Sequence, residues 1–432
     1  MYRKAIEQLK AWKESARRKP LVLRGARQVG KTWLMKEFGT SFYEKTFYFN
    51  FDKEDALKDI FKNNKNPARF LELLGALKED KILPEKHLII FDEIQECPDA
   101  LNALKYINEE ANEYHVITAG SLLGTYLAQP HSYPVGKVNL IDIYPMDFEE
   151  FLAAASPSLY ELILKDDTDA ITLFHGKFVD QYKNYLIIGG MPECVASWIK
   201  EKNTGVVGQM QDELIKLYEN DIAKHSGKIN SGRILLVFRS IVSQLSKENE
   251  KFIYGCVKEG ARAREFENAV EWLVSAGLVL RVYNVSKPEE PLKAFENLSS
   301  FKLFFFDTGL LKRMAGVSNE SIILSSDFQF KGALTENYVC QQLRGLFEVD
   351  VHYYSPLQNF EVDFVVQKES QIIPIECKGG KNVASASFKR YIRENNPEIA
   401  VRYSLLPYKK QENMVNIPLY CVGKIRKFSI QK

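Results

Sequence analysis

Eight consecutive residues, Gly25-Ala26-Arg27-Gln28-Val29-Gly30-Lys31-Thr32, form a complete G-x-x-x-x-G-K-T. They follow the apolar run Leu21-Val22-Leu23 and precede Leu34, Met35 and Phe38 at helical spacing, the strand–loop–helix context that the pattern needs. Glycines at both ends let backbone N–H groups close around phosphates at a helix N-terminus. Lys31 can then reach the β- and γ-phosphates of a nucleotide, and Thr32 can ligate Mg²⁺. Further on, Leu88-Ile89-Ile90-Phe91-Asp92-Glu93 reads as an apolar strand ending in two carboxylates. Asp92 falls at the C-terminal edge of a sheet, where open α/β sheets bind ligands. It can hold the Mg²⁺ shell, which leaves Glu93 to polarise an attacking water. A third strand, Val116-Ile117-Thr118, leads into Ala119-Gly120-Ser121, where Ser121 either senses a γ-phosphate or caps a helix.

A second constellation lies near the C-terminus. Alternation along Phe360-Glu361-Val362-Asp363-Phe364 puts Glu361 and Asp363 on one face of a strand. In Ile373-Pro374-Ile375-Glu376-Cys377-Lys378, Glu376 and Lys378 share a face in the same way. Glu336 keeps helical spacing with Val339, Cys340 and Leu343, so it projects from the apolar side of its helix. A carboxylate on a buried face is costly unless it is paired or bound to a metal. Glu336, Asp363, Glu376 and Lys378 are therefore expected to converge.

The elements that position these groups follow from periodicity. Short apolar runs at Leu21–Leu23, Phe47–Phe49, Leu88–Phe91 and Val116–Thr118 alternate with amphipathic stretches, which predicts a parallel sheet with crossover helices. From about 175 to 285 the pattern is mostly helical, with Phe266, Val270, Leu273 and Val274 on one face and Gly277 where that helix would stop. Residues 226–290 fit three helices and a short wing, with Arg262 and Arg264 at the front of the last helix. Such a segment either enters a DNA groove or serves as a packing module and nucleotide-responsive lid. After Pro288 and Pro291 come strand-like runs at Phe301–Phe306, Tyr353-Tyr354, Glu361–Val366 and Ile372–Cys377, with a helix near Leu334–Leu346. The expected domains are 1–155, 156–225, 226–295 and 296–432.

Composition narrows the class. The chain has 432 residues, 45% hydrophobic, with 58 Lys+Arg against 56 Asp+Glu, values that exclude disordered, collagen-like and coiled-coil architectures. The net charge of +2 says little about partners, but Cys377–Lys432 holds twelve Lys/Arg against three Asp/Glu, a basic stretch suited to a polyphosphate. Six scattered cysteines without a C-x-x-C argue against a disulfide framework or zinc site and for a reducing cytosol. The six histidines show no ligand spacing, no apolar run is long enough to span a bilayer, and Met1–Pro20 lacks the apolar core of a signal peptide. A soluble cytoplasmic protein is expected.

Gly25–Thr32, Phe91-Asp92-Glu93-Ile94-Gln95, Ala119–Leu123, Tyr144–Phe151 and Gly189-Gly190-Met191-Pro192-Glu193 resemble the AAA+-like P-loop ATPases. More narrowly they resemble a prokaryotic family, related to archaeal-type ATPases, that carries a C-terminal domain of unknown function. Asp363, twelve residues, then Glu376-x-Lys378, preceded by helical Glu336, resembles the PD-(D/E)xK nuclease superfamily. Together these resemblances imply an α/β P-loop NTPase core, a helical and winged-helix middle segment and a C-terminal α/β restriction-nuclease-like domain. They imply ATP and Mg²⁺ at Gly25–Thr32 and Asp92, with Lys31 and Glu93 in hydrolysis. A second Mg²⁺ would sit on Glu336, Asp363 and Glu376, with Lys378 beside the attacking water. They also imply a homo-oligomer acting on nucleic acid, DNA before RNA, with Arg233, Arg239, Arg262 or Arg264 as an arginine finger. The alternative is a nucleotide-switched interaction protein whose nuclease-like domain binds without cutting.

Overall fold

Residues 1–62, 64–120, 136–225, 228–247, 251–324, 328–344, 346–347, 350–357, 359–380 and 383–427 are described by a computed structural model. The chain divides into two units, Met1–Pro145 with Ser275–Gly277, and Met146–Val274 with Leu278–Lys432.

In the first unit the apolar runs become strands of one parallel sheet: β1 (Leu21–Arg24), β2 (Lys45–Asn50), β3 (His87–Asp92), β4 (His115–Ala119) and β5 (Asn139–Asp142). Their spatial order is β2-β3-β4-β1-β5. Every pair is parallel, with Leu21 opposite Ile117 and Asp92 opposite Ala119. Chain order and spatial order part at β1, which lies between β4 and β5, and a ligand site is expected at such a switch. β3 and β4 are buried throughout, as central parallel strands must be. Phe47, Phe49, Phe51, Phe61, Phe70 and Phe91 form the aromatic centre of the core, and each such buried ring stabilises by about 1.5–3 kcal/mol.

The second unit begins with helices. Phe148–Ala155 opens with a capping box between Asp147 and Glu150. Its Phe148 and Phe151 meet Tyr185 edge-on, and Phe151 also stacks on Trp198. By these contacts residues 146–155 group with the second unit. The motif Gly189-Gly190 has a structural reason. Gly190 accepts a hydrogen bond from the Met146 N–H (2.7 Å) and gives its own N–H to the buried carboxyl of Asp307 (2.7 Å). Asp307 also caps the helix Thr308–Met314 by accepting from the Leu310 N–H. Burial pushes the Asp307 carboxyl up to about 6, against the backbone N–H groups that favour its charge.

An eight-stranded sheet follows: β6 (Val279–Val285), β7 (Glu296–Phe305), β8 (His352–Leu357), β9 (Phe360–Lys368), β10 (Gln371–Lys378), β11 (Ala400–Ser404), β12 (Lys409–Gln411) and β13 (Met414–Pro418). The order is β12-β13-β11-β10-β9-β8-β6-β7. β8, β9 and β10 form an antiparallel meander, and β11 pairs with β10 in parallel after the helix Ala386–Asn395. β12 is three residues long and exposed at each one. The helices Lys228–Leu245, Tyr254–Val257 and Ala263–Ser275 precede β6 and β7, which pair antiparallel. Three helices and a hairpin occupy the stretch read as a winged helix, and the hairpin is also an edge of the large sheet, because β6 pairs with β8. The expected boundary at 295/296 consequently falls between two paired strands; Pro288 and Pro291, after which the strand-like runs begin, lie in their connection.

Candidate functional site

The loop from Gly25 to Thr32 winds through left-handed backbone at three places, Gly25 (φ 140°), Gln28 (φ 65°) and Gly30 (φ 92°). Gly25 is required twice over, since a Cβ there would also run into the Ile143 carbonyl. The loop delivers the chain into the helix Lys31–Phe42, whose start has no side-chain cap, so its first N–H groups face the loop without that partner. Lys31 is 8% exposed, and its ammonium donates to the carbonyls of Gly25 (2.9 Å) and Ala26 (2.8 Å). Burial pulls it down to about 8, while the nearby Glu93 and Asp92 charges act the other way.

Asp92 ends β3 and is 3% exposed. Its Oδ2 accepts from the hydroxyl of Thr32 (2.9 Å) and from the phenol of Tyr48 on β2 (2.8 Å). Thr32 and Asp92, expected to share a Mg²⁺ shell, are thus already in contact; a hydroxyl and a carboxylate are oxygen donors of the kind Mg²⁺ takes. Glu93 follows in the left-handed region (φ 52°), an outlier of the sort that gathers at functional sites. Gln95 donates to its Oε2 at 2.7 Å.

Three supports escaped the sequence reading. Arg3 is buried and donates to the carbonyls of Val29 (2.9 Å) in the loop and Tyr144 (2.7 Å). Tyr48 holds Asp92, and burial pushes its phenol up to about 12. Gln95 holds Glu93. Nothing in periodicity marks Arg3 or Tyr48, whereas Gln95 stood in the quoted run Phe91–Gln95. Ser121 lies outside the described residues. Arg233, Arg262 and Arg264 are exposed, as is Arg239, which pairs with Glu219 at 2.7 Å.

In the second unit, Glu336, Asp363, Glu376 and Lys378 do come together. The β9–β10 register sets Ile375 across from Phe364, which puts Glu376 across from Asp363. The Asp363 carboxyl accepts from the Cys377 N–H (2.6 Å) and is held well above the usual carboxylate range by burial, then by the charges of Glu376 and Glu336. Lys378 lies 2.6 Å from Glu376; burial pulls its ammonium down, but Glu376 more than offsets this and leaves it above its ordinary value. The sequence reading missed a fifth member, Lys302 on β7. Its ammonium is 2.5 Å from Glu361 and 3.6 Å from Glu336. A lysine inside the apolar run Phe301–Phe306 was the available signal, because a buried ammonium needs a carboxylate. Among the described residues no three His, Cys, Asp or Glu side chains form a metal-holding group. The expected ligands are adjacent, but the positive charge among them comes from lysines.

Comparison with known proteins bears on the first site. Residues 17–152 match the sequence model of a family described as an AAA domain. The match takes in the Gly25–Thr32 loop, Asp92 and Glu93, and all five strands of the parallel sheet. Beyond this match, residues 179–321 and 331–422 match two families described as domains of unknown function. No curated protein matches the chain. Among solved structures, a Walker-type ATPase of Pyrococcus abyssi aligns at 12% identity over 72% of this chain and 95% of that one, with a TM-score of 0.46. The ORC1 protein of Aeropyrum pernix in complex with DNA aligns at 11% over 74% and 92% (TM-score 0.26). The RuvB Holliday junction branch migration motor of Thermotoga maritima aligns at 14% over 65% and 90% (TM-score 0.29). No helix among the described residues is long and apolar enough to cross a membrane.

Proposed function

We propose that the AAA domain binds ATP with Mg²⁺ and hydrolyses it. The observation that carries this is the contact of Thr32 with Asp92 beside Lys31, at the uncapped start of the helix Lys31–Phe42. Gly25–Thr32 take the phosphates on backbone N–H groups, and Lys31 exchanges its two carbonyl partners for phosphate oxygens. Thr32 and Asp92 hold Mg²⁺, which when bound neutralises charge on the β- and γ-phosphates. Glu93 orients and deprotonates the attacking water, Gln95 keeping its carboxylate placed until then.

The wider reading is a cytosolic, homo-oligomeric ATPase acting on nucleic acid. Supporting it are the basic stretch after Cys377, the exposed Arg262 and Arg264, and the exposed Lys409 and Lys410. Six unpaired thiols suit a reducing compartment, and an exposed arginine of a neighbouring copy would complete the site. For the C-terminal domain two readings compete. Glu336, Asp363 and Glu376 hold Mg²⁺ and Lys378 serves phosphodiester hydrolysis, or the domain binds without cutting. The buried ammonium of Lys302 among those carboxylates favours the second.

The test is the ATPase rate with and without DNA or RNA, beside Glu93→Gln. Loss of the general base lowers turnover by about 10²–10⁴-fold with nucleotide binding retained. A rate raised by one polymer supports action on nucleic acid. A Glu93→Gln variant as active as the wild type would sink the catalytic assignment.

A further inference from the structure

Lys302 is a lysine that water does not reach, with a side-chain exposure of 0%. It stands on β7, outside the β8–β9–β10 meander that carries Asp363, Glu376 and Lys378. Its ammonium donates to Glu361 on β9 and faces Glu336 on the helix Lys331–Leu343, with the Tyr353 ring centroid 5.2 Å away. An ammonium is held in such a place only when fixed carboxylates receive it. On the other side of the cluster Lys378 lies 2.6 Å from Glu376. Cations thus enter this acidic group from two strands. A divalent ion seated among the same oxygens would meet the repulsion of the buried Lys302 ammonium at short range.

We propose that Lys302 is the resident counter-cation of the cluster, holding Glu336 and Glu361 in place of a divalent metal ion. Lys302 falls within residues 179–321 and the carboxylates within 331–422, so the site is shared between segments that match separate families. Lys302 is a positioning residue here, since its burial keeps it from any ligand. The inference rests on the binding reading of the C-terminal domain and gives that reading a physical cause.

The experiment uses the full chain carrying Asp92→Asn, which removes the other Mg²⁺ position, and follows Mn²⁺ uptake by titration. This parent takes up no Mn²⁺ that Asp363→Asn can abolish. Lys302→Met gains one equivalent, Lys302→Arg does not, and adding Asp363→Asn to Lys302→Met removes the gain. Mn²⁺ bound by the parent and lost with Asp363→Asn overturns the proposal, as does a folded Lys302→Met protein that binds none. Should Lys302→Met fail to fold, Lys302→Met/Glu361→Gln removes both partners of the ion pair together, and the same outcomes apply to it. DNA retention by the parent is measured separately. Retention without the Mn²⁺ gain leaves the binding reading standing and Lys302 misassigned, while the gain without retention does the reverse.

Discussion

Lys31 carries its charge where burial opposes it, and this has a measurable cost. With its pKa pulled from 10.5 to about 8, the charged form is disfavoured in the folded chain by about 3 kcal/mol. The unfolded chain binds the extra proton between those values, so this penalty is present below pH 8 and is relieved as pH rises toward 10.5. Function runs the opposite way, because phosphate needs the ammonium. Nucleotide affinity without Mg²⁺ is expected to fall as pH rises through about 8, a range in which phosphate is already fully ionised. A flat profile from pH 7 to 9 by equilibrium dialysis would place Lys31 elsewhere in the reaction. Tyr48 makes a second prediction. Losing its hydrogen bond to Asp92 in Tyr48→Phe removes about 1 kcal/mol of positioning. The Mg²⁺ concentration for half-maximal ATPase should rise severalfold, with Mg²⁺-free nucleotide binding unchanged; equal losses in both would make Tyr48 a packing residue only.

At the scale of elements, strand ends and helix starts do the placing. β3 brings Asp92 and Glu93 to the same sheet edge where β1 releases the Gly25–Thr32 loop. That much was legible in the sequence, because a glycine-bounded loop and an acidic strand end each announce their geometry. Less visible was β5, whose residues alternate between half-buried and exposed at the sheet edge and never form an apolar run. β11 and β13 hid behind Arg402 and Asn416, polar groups that satisfy each other across the strands at 3.1 Å. Lys302 was written in an apolar run, yet its partners lie 34 and 59 residues away in sequence and only the fold names them. Asp307 supplies an element-scale prediction. Its folded value of about 6 exceeds the 3.8 of an ordinary aspartate, so the folded chain holds a proton that the unfolded chain releases. Stability from this group is full below pH 3.8 and lost as pH rises through 6, a change of about 3 kcal/mol. The difference in melting temperature between wild type and Asp307→Asn should vary with pH in that window and level off above it.

For the whole molecule, the second unit behaves as more than the sum of its sequence segments. A chain cut at 296 would keep β7 and lose β6, its antiparallel partner, and with it the strand that joins β7 to β8. We expect residues 296–432 alone to lack a cooperative thermal transition, whereas 146–432 keeps one; a sharp transition in the shorter fragment would restore the boundary that the prolines suggested. The sheet to which this hairpin belongs has another end. β12 is a three-residue strip of Lys409, Lys410 and Gln411, all facing water. Short length and lysine on a bare sheet margin leave an approaching chain little to zip onto and repel a second copy of the same margin. The sheet is in this sense self-terminating. A Lys409→Val/Lys410→Val chain should be the one that forms fibres or precipitates on storage.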